Sequence, residues 1–207
     1  IIHIFPLRNV VWNRYLSEFC GTFWMVLLGC GSIALGWNSF AVSITFGFAV
    51  FTAIMVFQPI SGAHINPAVS IAFAANGNLE KEALPGYIIS QCTGGWLAAM
   101  IVLSGATSPA VGYAQSWGIE VAITLLLMYS IHILVRTEAN LFVLASGVGL
   151  MVAILAFSFG GFTGASMNPA RTLGPNIVTG EGNLILYIVA PVIGAVLANF
   201  IPEPLDE

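Results

Sequence analysis

Asn66-Pro67-Ala68 interrupts an apolar stretch of this chain, and Asn168-Pro169-Ala170 repeats the tripeptide 102 residues later. A glycine-containing run precedes each copy, Ser61-Gly62-Ala63-His64-Ile65 in the first case and Thr163-Gly164-Ala165-Ser166-Met167 in the second. Proline favours the first turn of a helix, where its missing N–H is not needed, and asparagine is a good cap just before it. Two helix starts at matching positions inside hydrophobic segments predict a binding or conduction path at the midplane of a duplicated membrane protein.

The composition also indicates a membrane protein. Hydrophobic residues make up 58% of the chain, charged residues make up 7%, and the mean hydropathy is +0.94. Soluble domains carry about 25% charged residues, so lipid is the expected solvent. Apolar runs of about 20 residues recur along the chain and argue against a soluble protein with a large core. The net charge of −4, without a basic run, argues against a nucleic-acid partner.

The three cysteines, Cys20, Cys30 and Cys92, all lie within apolar runs. The sequence contains no CxxC motif and no His/Cys cluster with metal-ligand spacing, so we expect neither a metal site nor a disulfide framework. Buried cysteine usually acts as a small hydrophobic residue. No cofactor is predicted.

Apolar runs and the breaks between them predict an all-α membrane protein. Six stretches are near the length that crosses a bilayer: Tyr15–Trp37, Phe40–Gln58, Leu84–Leu103, Trp117–Leu134, Leu141–Phe159 and Leu184–Ile201. Two further stretches, Asn66–Ala75 and Asn168–Val178, are too short to cross and are predicted to be re-entrant half-helices.

The two halves of the chain repeat each other. A shift of 102 residues aligns Glu18 with Glu120, Gly47 with Gly149, and the first Asn-Pro-Ala with the second. Beyond the half-helices the shift becomes 100, which aligns Tyr87 with Tyr187 and Gly94 with Gly194. Each half contains three spans, an odd number, so the second half enters the membrane from the opposite side. We therefore expect one channel domain over 1–207, built from inverted repeats at about 10–105 and 112–202.

Basic residues are consistent with a cytoplasmic N-terminus. With six spans the C-terminus is then cytoplasmic too, and four of the five Lys and Arg side chains fall on the cytoplasmic side: Arg8, Arg14, Lys81 and Arg136. Arg171 is the exception, because it lies in the half-helix that enters from outside. A charge at that depth needs a functional reason.

With these features the chain resembles the aquaporin (major intrinsic protein) family. The matching stretches are Ser61–Val69, Gly164–Arg171 and Glu18–Phe23, with Glu120 at the repeat position of Glu18, and the resemblance extends from Tyr15 to Phe200. It implies a right-handed bundle of six tilted helices in which the two half-helices meet at the centre. It also implies a homotetramer in the plasma membrane, with one pore for water and small uncharged solutes in each subunit.

The resemblance also implies a role for each motif. The side-chain amides of Asn66 and Asn168 are expected to donate to a passing oxygen, while the half-helix dipoles disfavour cations and protons. Capping uses a different atom of the amide, so both roles are possible. Backbone carbonyls form the expected acceptor ladder, at Gly62, Ala63, His64, Thr163 and Gly164. An alternative reading is that the glycines merely permit tight turns, and the two readings are compatible.

Glu18 and Glu120 are costly inside lipid, so each needs polar neighbours. The resemblance implies that they brace the re-entrant loops by accepting backbone N–H groups. The alternative is a proton relay, which would suit a transporter. His64 and His132 could titrate near neutral pH, but His64 is better explained as a loop brace and His132 as an interfacial residue.

The selectivity filter is carried over by counting from the motifs. Phe46 lies 20 residues before Asn66, and Arg171 directly follows the second motif. Ala156 and Ala165 lie 15 and 6 residues before Arg171. Ordinary packing is the alternative for Ala156, and a structural ion pair is the alternative for Arg171.

The filter residues predict an opening wider than that of strictly water-selective members, because Ala156 and Ala165 are small. Pore diameter and lining donors set selectivity, so we expect passage of glycerol or urea as well as water. Glycerol facilitators carry Asp after the filter arginine and have longer outer loops, whereas this chain has Thr172 and compact loops. The sequence therefore resembles a water-channel frame with an enlarged filter, and a strictly water-selective channel is the alternative.

Two other function classes are consistent with parts of the pattern. Inverted repeats and broken helices also occur in secondary transporters, although the spans hold no acid besides Glu18 and Glu120 for ion coupling. A structural role in membrane adhesion would leave the arginine and both motifs unexplained. No nucleophile–base pair indicates an enzyme.

Overall fold

The computed structural model describes the backbone of residues 7–202 and the side chains of residues 11–202. The side chain of Arg8, one of the predicted cytoplasmic cations, and residues 203–207 of the predicted domain lie outside this part. Within residues 7–202 every regular element is a helix: α1 (Leu7–Ala34), α2 (Ser39–Ser61), α3 (Pro67–Ala75), α4 (Leu84–Val102), α5 (Tyr113–Arg136), α6 (Leu141–Thr163), α7 (Pro169–Thr179) and α8 (Leu184–Ala198).

Six of the helices are the predicted spans, and α3 and α7 are the predicted half-helices. Four have both the length and the apolar composition to cross a membrane: α1 from Val11 onward, α2, α5 and α6. At a rise of about 1.5 Å per residue, α4 extends about 28 Å and α8 about 22 Å, against a hydrocarbon core of about 30 Å. They pack against α1 and α5 respectively and complete the bundle.

The inverted repeat is visible where repeat partners meet. Gly47 of α2 and Gly149 of α6 lie against each other, and a Cβ at Gly47 would be 2.5 Å from the Gly149 carbonyl, while a Cβ at Gly149 would be 2.7 Å from the Gly47 carbonyl. Equivalent positions in contact are what a pseudo-twofold axis requires. The two α2/α6 backbones can approach this closely because neither position carries a side chain.

The same rule applies to the outer helix pairs. A Cβ on Gly94 would overlap the carbonyl of Phe19, which places α4 tightly on α1. A Cβ on Gly194 would overlap the carbonyl of Val121, which places α8 on α5 in the same way. Small residues at these crossings fix how each half is assembled around its half-helix.

Each half-helix starts where the motif predicts. Asn66 and Asn168 are the N-caps of α3 and α7, and a proline occupies the first turn of each helix. The Asn66 side-chain oxygen accepts from the Ala68 N–H, and that of Asn168 accepts from the Ala170 and Arg171 N–H groups. These caps satisfy donors that a helix start leaves unpaired, and they bring two helix N-termini together in the interior.

Candidate functional site

A cavity of about 350 Å³ lies where the two half-helices meet. One wall is mostly apolar and is built from side chains four residues apart, which face the same side of a helix. On α2 these are Phe46, Val50, Ile54 and Gln58, and on α6 they are Leu144, Val148 and Val152. The other wall is the backbone of the segments before α3 and α7, residues 62–65 and 164–167.

Both segments have an unusual backbone with the same pattern. Gly62, Ala63 and Ile65 have φ values of 87°, 48° and 45°. Their repeat partners Gly164, Ala165 and Met167 have φ values of 79°, 42° and 53°. Left-handed alanine, isoleucine and methionine are strained, and they are found where function or surrounding contacts require them. Here they hold a non-helical segment along a cavity, the setting in which such backbone is tolerated at membrane depth.

The motif asparagines tie the two segments together reciprocally. Asn66 Nδ2 donates to the Met167 carbonyl (2.8 Å), and Asn168 Nδ2 donates to the Ile65 carbonyl (2.9 Å). Each amide nitrogen carries a second hydrogen, and both residues line the cavity. On Asn168 that hydrogen has a weak partner, Met25 Sδ at 3.8 Å. The arrangement presents two fixed amide donors at the middle of the cavity.

Glu18 is completely buried beneath the first segment and is fully hydrogen-bonded. Its Oε1 accepts from Ser61 Oγ (2.7 Å) and the His64 N–H (2.9 Å). Its Oε2 accepts from the Ile65 N–H (2.6 Å) and from Gln91 Nε2 (2.7 Å). Four donors on one carboxylate offset the cost of burying it and hold the strained backbone in place.

Glu120 occupies the matching position under the second segment. It accepts from Thr163 Oγ1 (2.7 Å), the Ser166 N–H (2.9 Å) and the Met167 N–H (3.0 Å). A fourth donor is missing because the repeat partner of Gln91 is Pro191. The second carboxylate is therefore less completely bonded than the first.

Thr163, whose carbonyl is expected in the acceptor ladder, is not among the residues that line the cavity. Thr163 is fully buried, its hydroxyl donates to Glu120, and its carbonyl accepts from the Tyr187 hydroxyl. Tyr87 bonds the Ser61 carbonyl in the same way in the first half. The other expected acceptors, at Gly62, Ala63, His64 and Gly164, do belong to cavity-lining residues, and so do Ile65, Ala165, Ser166 and Met167.

His64 lines the cavity and is held by its neighbours. Its Nδ1 is 3.1 Å from Ser70 Oγ, and its ring centroid lies 4.8 Å from that of Phe73 and 5.1 Å from that of Tyr87. His132 is buried at the other end of the same stack, 5.9 Å from Phe73 between centroids. These contacts explain both histidines as packing and bracing residues.

Arg171 is 5% exposed and is anchored through one nitrogen. Its Nη1 donates to the Gly105 carbonyl and to Thr107 Oγ1, both at 2.7 Å, in the connection between α4 and α5. A guanidinium has five N–H donors, and these bonds use the two on Nη1. Among the described residues the Nε and Nη2 groups have no hydrogen-bond partner, so three donors are free for a solute. No carboxylate pairs with Arg171 in this part of the chain.

Three of the four predicted filter residues line the cavity. The Arg171 guanidinium carbon lies 4.9 Å from the centroid of the Phe46 ring, which marks the filter end of the cavity, and Ala165 is also a lining residue. Phe46 occupies space left by Gly29, because a Cβ at Gly29 would overlap the ring. Ala156 is not among the lining residues. It continues the four-residue series of Leu144, Val148 and Val152 one turn past Val152, so its role stays a prediction.

Several residues at this site were not singled out from the sequence. Gln91 is a lone amide within an apolar span, a signal that could have drawn attention to it. Thr107 and Asn176 gave no such signal. Asn176 Oδ1 accepts from the Thr107 N–H (2.8 Å) and its Nδ2 donates to the Thr107 carbonyl (2.9 Å), so a helix residue clamps the connection that holds Arg171.

Comparisons with known proteins show the family of this chain. The family model described as major intrinsic protein matches residues 7–201, nearly the whole chain. The chain belongs to the major intrinsic protein family. Its fold, with six longer helices around two half-helices, is the aquaporin fold. It is an integral membrane channel and not an enzyme.

Individual relatives of this family member come from plants and bacteria. It is 34% identical to "Aquaporin NIP1-2" of Oryza sativa subsp. japonica, over 93% of this chain and 73% of the relative. It is 33% identical to "Glycerol uptake facilitator protein-like 6" of Lactiplantibacillus plantarum, over 91% and 95%. The X-ray structure of the aquaglyceroporin from Plasmodium falciparum superimposes with a TM-score of 0.85 at 25% identity, covering 90% of this chain and 93% of that one.

Proposed function

We propose that this major intrinsic protein is a passive channel for water and small neutral solutes such as glycerol and urea. The observation that carries the proposal is the filter end of the cavity, where Phe46 and Arg171 are joined by Ala165 rather than by a bulky side chain. A small residue there leaves room beside three free guanidinium donors. Selectivity by pore size and lining donors then favours polyols and amides over larger or charged molecules.

The lining chemistry fits a neutral polyol. Apolar stripes on α2 and α6 face a line of backbone groups at residues 62–65 and 164–167. A glycerol molecule has carbon atoms along one side and hydroxyl groups along the other, so it can meet both walls at once. The likeness to a glycerol uptake facilitator and to an aquaglyceroporin supports this proposal.

Exclusion of protons and cations is the second part of the proposal. Two helix N-termini point at the centre of the cavity, each with partial positive charge, and Arg171 adds a full positive charge at the filter end. Asn66 and Asn168 donate to a passing oxygen and fix its orientation. Both effects oppose a positively charged permeant.

We infer from the family resemblance that the channel assembles as a homotetramer in the plasma membrane, with both termini cytoplasmic. The cavity lies inside the helix bundle of the single chain, where the two half-helices meet, so each subunit would conduct independently. Native mass spectrometry of the detergent-solubilised protein tests the assembly, and a mass of one or two chains would contradict it. Protease access to tags at each terminus in sealed cells tests the topology.

The test of the function is stopped-flow light scattering on reconstituted vesicles, with water, glycerol and urea compared against protein-free vesicles. We expect water flux and glycerol flux well above the lipid background. Fast water flux together with glycerol and urea fluxes no higher than in protein-free vesicles would contradict the wide filter and support the strictly water-selective alternative. Water flux no faster than through lipid would overturn the channel proposal and favour a structural role.

Ala156 can be tested in the same assay. Replacing it with histidine, Ala156→His, is expected to narrow the filter and reduce glycerol flux while sparing water flux, because the four-residue series on α6 directs this position at the conduction path. Ile154→His on the exposed face of α6 is the control and should leave the ratio of the two fluxes unchanged. An unchanged ratio in Ala156→His would show that the position does not face the filter.

A further inference from the structure

A line of buried hydroxyl groups joins the filter arginine to the central motif. Arg171 Nη1 contacts Thr107 Oγ1 at 2.7 Å, and Thr107 Oγ1 lies 2.8 Å from Thr172 Oγ1. Thr172 Oγ1 lies 2.6 Å from Ser166 Oγ, which lies 3.0 Å from the Asn168 carbonyl. We call Thr107, Thr172 and Ser166 the hydroxyl chain. All three residues are at most 4% exposed.

The direction of every hydrogen bond in the hydroxyl chain follows from its two ends. A guanidinium can only donate, so Thr107 Oγ1 accepts from Arg171 and has its own hydrogen left for Thr172. A carbonyl can only accept, so Ser166 gives its hydrogen to Asn168. Thr172 therefore donates to Ser166. This arrangement gives each hydroxyl one donor and one acceptor among these partners, and the reversed direction would leave the hydrogen of Thr107 without an acceptor.

The position of Thr107 is itself fixed by α7. Asn176 bonds both the N–H and the carbonyl of Thr107, and Asn176 is 3% exposed. A Cβ at Gly182 would overlap both the Asn176 amide and the Thr107 carbonyl, so only glycine fits at this position. Thr107 is therefore held to α7, the helix that begins at Asn168 and carries Arg171, although it lies in the connection between α4 and α5.

In the described part of the first half, no such line of hydroxyl groups leads to an arginine of the filter. Ser70, the repeat partner of Thr172, receives a bond from Gln91 Nε2 (2.9 Å) and contacts His64 Nδ1 (3.1 Å). Val69 occupies the position that matches Arg171. The hydroxyl chain is thus a feature of the half that supplies the filter arginine.

We propose that Thr107 is a positioning residue for the filter arginine, and that it acts through Thr172 and Ser166 to keep Arg171 in register with Asn168 and so sets solute selectivity. With Nη1 anchored, the Nε and Nη2 donors face the conduction path at a fixed height above the central amides. Without the anchor, the guanidinium turns toward the lumen and narrows it. This proposal rests on the function proposed above.

Thr107→Val and Thr107→Ser separate hydrogen bonding from packing. Valine keeps the shape of threonine without the hydroxyl, and serine keeps the hydroxyl without the methyl group. In vesicles, we expect Thr107→Val to lower the glycerol-to-water permeability ratio about fivefold, as loss of a bond to a charged group implies. Thr107→Ser should keep the wild-type ratio. Thr93→Val is the matched control, because the Thr93 hydroxyl is exposed and bonds only carbonyls of its own helix.

Two further variants test whether the members of the hydroxyl chain act together. Thr172→Val should change the ratio less than Thr107→Val, about twofold, since the direct bond to Arg171 survives. The double variant should be no worse than Thr107→Val alone, because members of one network do not add independently. Additive effects would contradict a connected chain.

The outcomes are distinguishable from failure of the channel function itself. If wild type conducts neither water nor glycerol, the proposed function fails. If wild type conducts and Thr107→Val keeps the wild-type ratio, the positioning role is wrong. A changed ratio in Thr107→Ser but not in Thr107→Val would show a packing role instead. Should Thr107→Val fail to fold, Asn176→Asp supplies the test, because it replaces the amide donor to the Thr107 carbonyl and should lower the same ratio; an unchanged ratio in that variant overturns the proposal.

Discussion

The two halves of this channel share one backbone design but use different side chains to secure it. In the first half Glu18 has four hydrogen-bond donors, including Gln91. In the second half Glu120 has three, and Pro191 replaces the amide. The second half has Arg171 and the hydroxyl chain where the first has Val69 and Ser70. The comparison separates two tasks: the first half holds its buried carboxylate with more hydrogen bonds, and the second supplies the filter arginine.

This division has a physical basis. A buried carboxylate is expensive unless its oxygen atoms are bonded, and Glu18 achieves this with neutral donors alone. Glu120 has three neutral donors, and the same half of the chain also carries the positive charge of Arg171. Where the two repeats share a backbone conformation but differ in side chains, the differences therefore indicate which task each half performs.

The largest expected effect is the loss of stability when either buried glutamate, Glu18 or Glu120, is replaced. Glu18→Gln should destabilise the protein by about 3 kcal/mol, because the new amide faces the Ile65 N–H and Gln91 and leaves a buried donor unpaired. Glu120→Gln should cost about 2 kcal/mol, since fewer donors are affected. Thermal unfolding in detergent measures both. A larger loss for Glu120→Gln than for Glu18→Gln would contradict the order of the two braces.

The next effect isolates the extra donor of the first half. Gln91→Leu makes Glu18 resemble Glu120 and also removes a bond to Ser70, so we expect a loss of about 1.5 kcal/mol. Cys92→Ala, a neighbouring position on α4 that is partly exposed, is the control for general weakening of the helix. If Gln91→Leu is as stable as the control, the fourth bond is not what distinguishes the halves.

A third change gives the second half the residue that the first half has at the position matching the filter arginine. Arg171→Val puts the residue of position 69 at the matching place and removes both the charge and the free donors. We expect glycerol flux to rise about fivefold, equivalent to about 1 kcal/mol, as the opening widens, and discrimination against larger polyols to weaken. The measurement is a series of vesicle swelling rates for polyols of increasing length. Unchanged rates across the series would place the filter elsewhere.

The smallest expected effect lies at the surface of the first half. Arg14 Nε bonds the Tyr87 hydroxyl and its Nη2 forms an ion pair with Glu80 at 2.9 Å, whereas the repeat partner of Arg14 is the neutral Ser116. Hydrogen bonding and attraction by Arg14 lower the pKa of Glu80 below its ordinary value. Glu80 is exposed, so the pair contributes about 0.5 kcal/mol or less.

The sign of the pH dependence follows from the direction of that shift. A lowered carboxyl pKa gives stability that is present above the unfolded value, about 4.3, and is lost as the pH falls through the folded value. Glu80→Gln should therefore narrow the difference in stability between neutral pH and pH below about 4, without affecting the second half. The comparison is made with urea titrations in detergent at both pH values, and an identical pH dependence in wild type and variant would exclude the pair as its source.

Much of this architecture could be predicted because the sequence contains an internal repeat. The tripeptides at Asn66 and Asn168 located the half-helices, and the 102-residue shift linked Glu18 to Glu120 before any contact was known. The helix boundaries were less accurate. α1 begins at Leu7 and not near Tyr15, because hydropathy marks where a helix enters lipid and the helix continues into polar sequence.

The residues that escaped prediction are those whose role depends on long-range geometry. Thr107 lies in an irregular connection and acts only because Asn176 draws it onto α7. The Thr163 carbonyl is expected in the acceptor ladder, but in the folded chain it accepts from the Tyr187 hydroxyl of α8, and no composition rule gives that contact. Contacts between residues this far apart in the sequence depend on the packing of several helices, which local sequence patterns do not give.

The central claim is that one chain forms a passive, neutral-solute pore whose filter arginine comes from its second half. The most direct measurement is glycerol and water flux in the same proteoliposomes, with an ion gradient imposed and then dissipated by an ionophore. The account predicts that both fluxes exceed the protein-free background, rise linearly with solute concentration and are the same with and without the gradient. Glycerol flux that saturates or stops when the gradient is dissipated would contradict it and would indicate a coupled transporter.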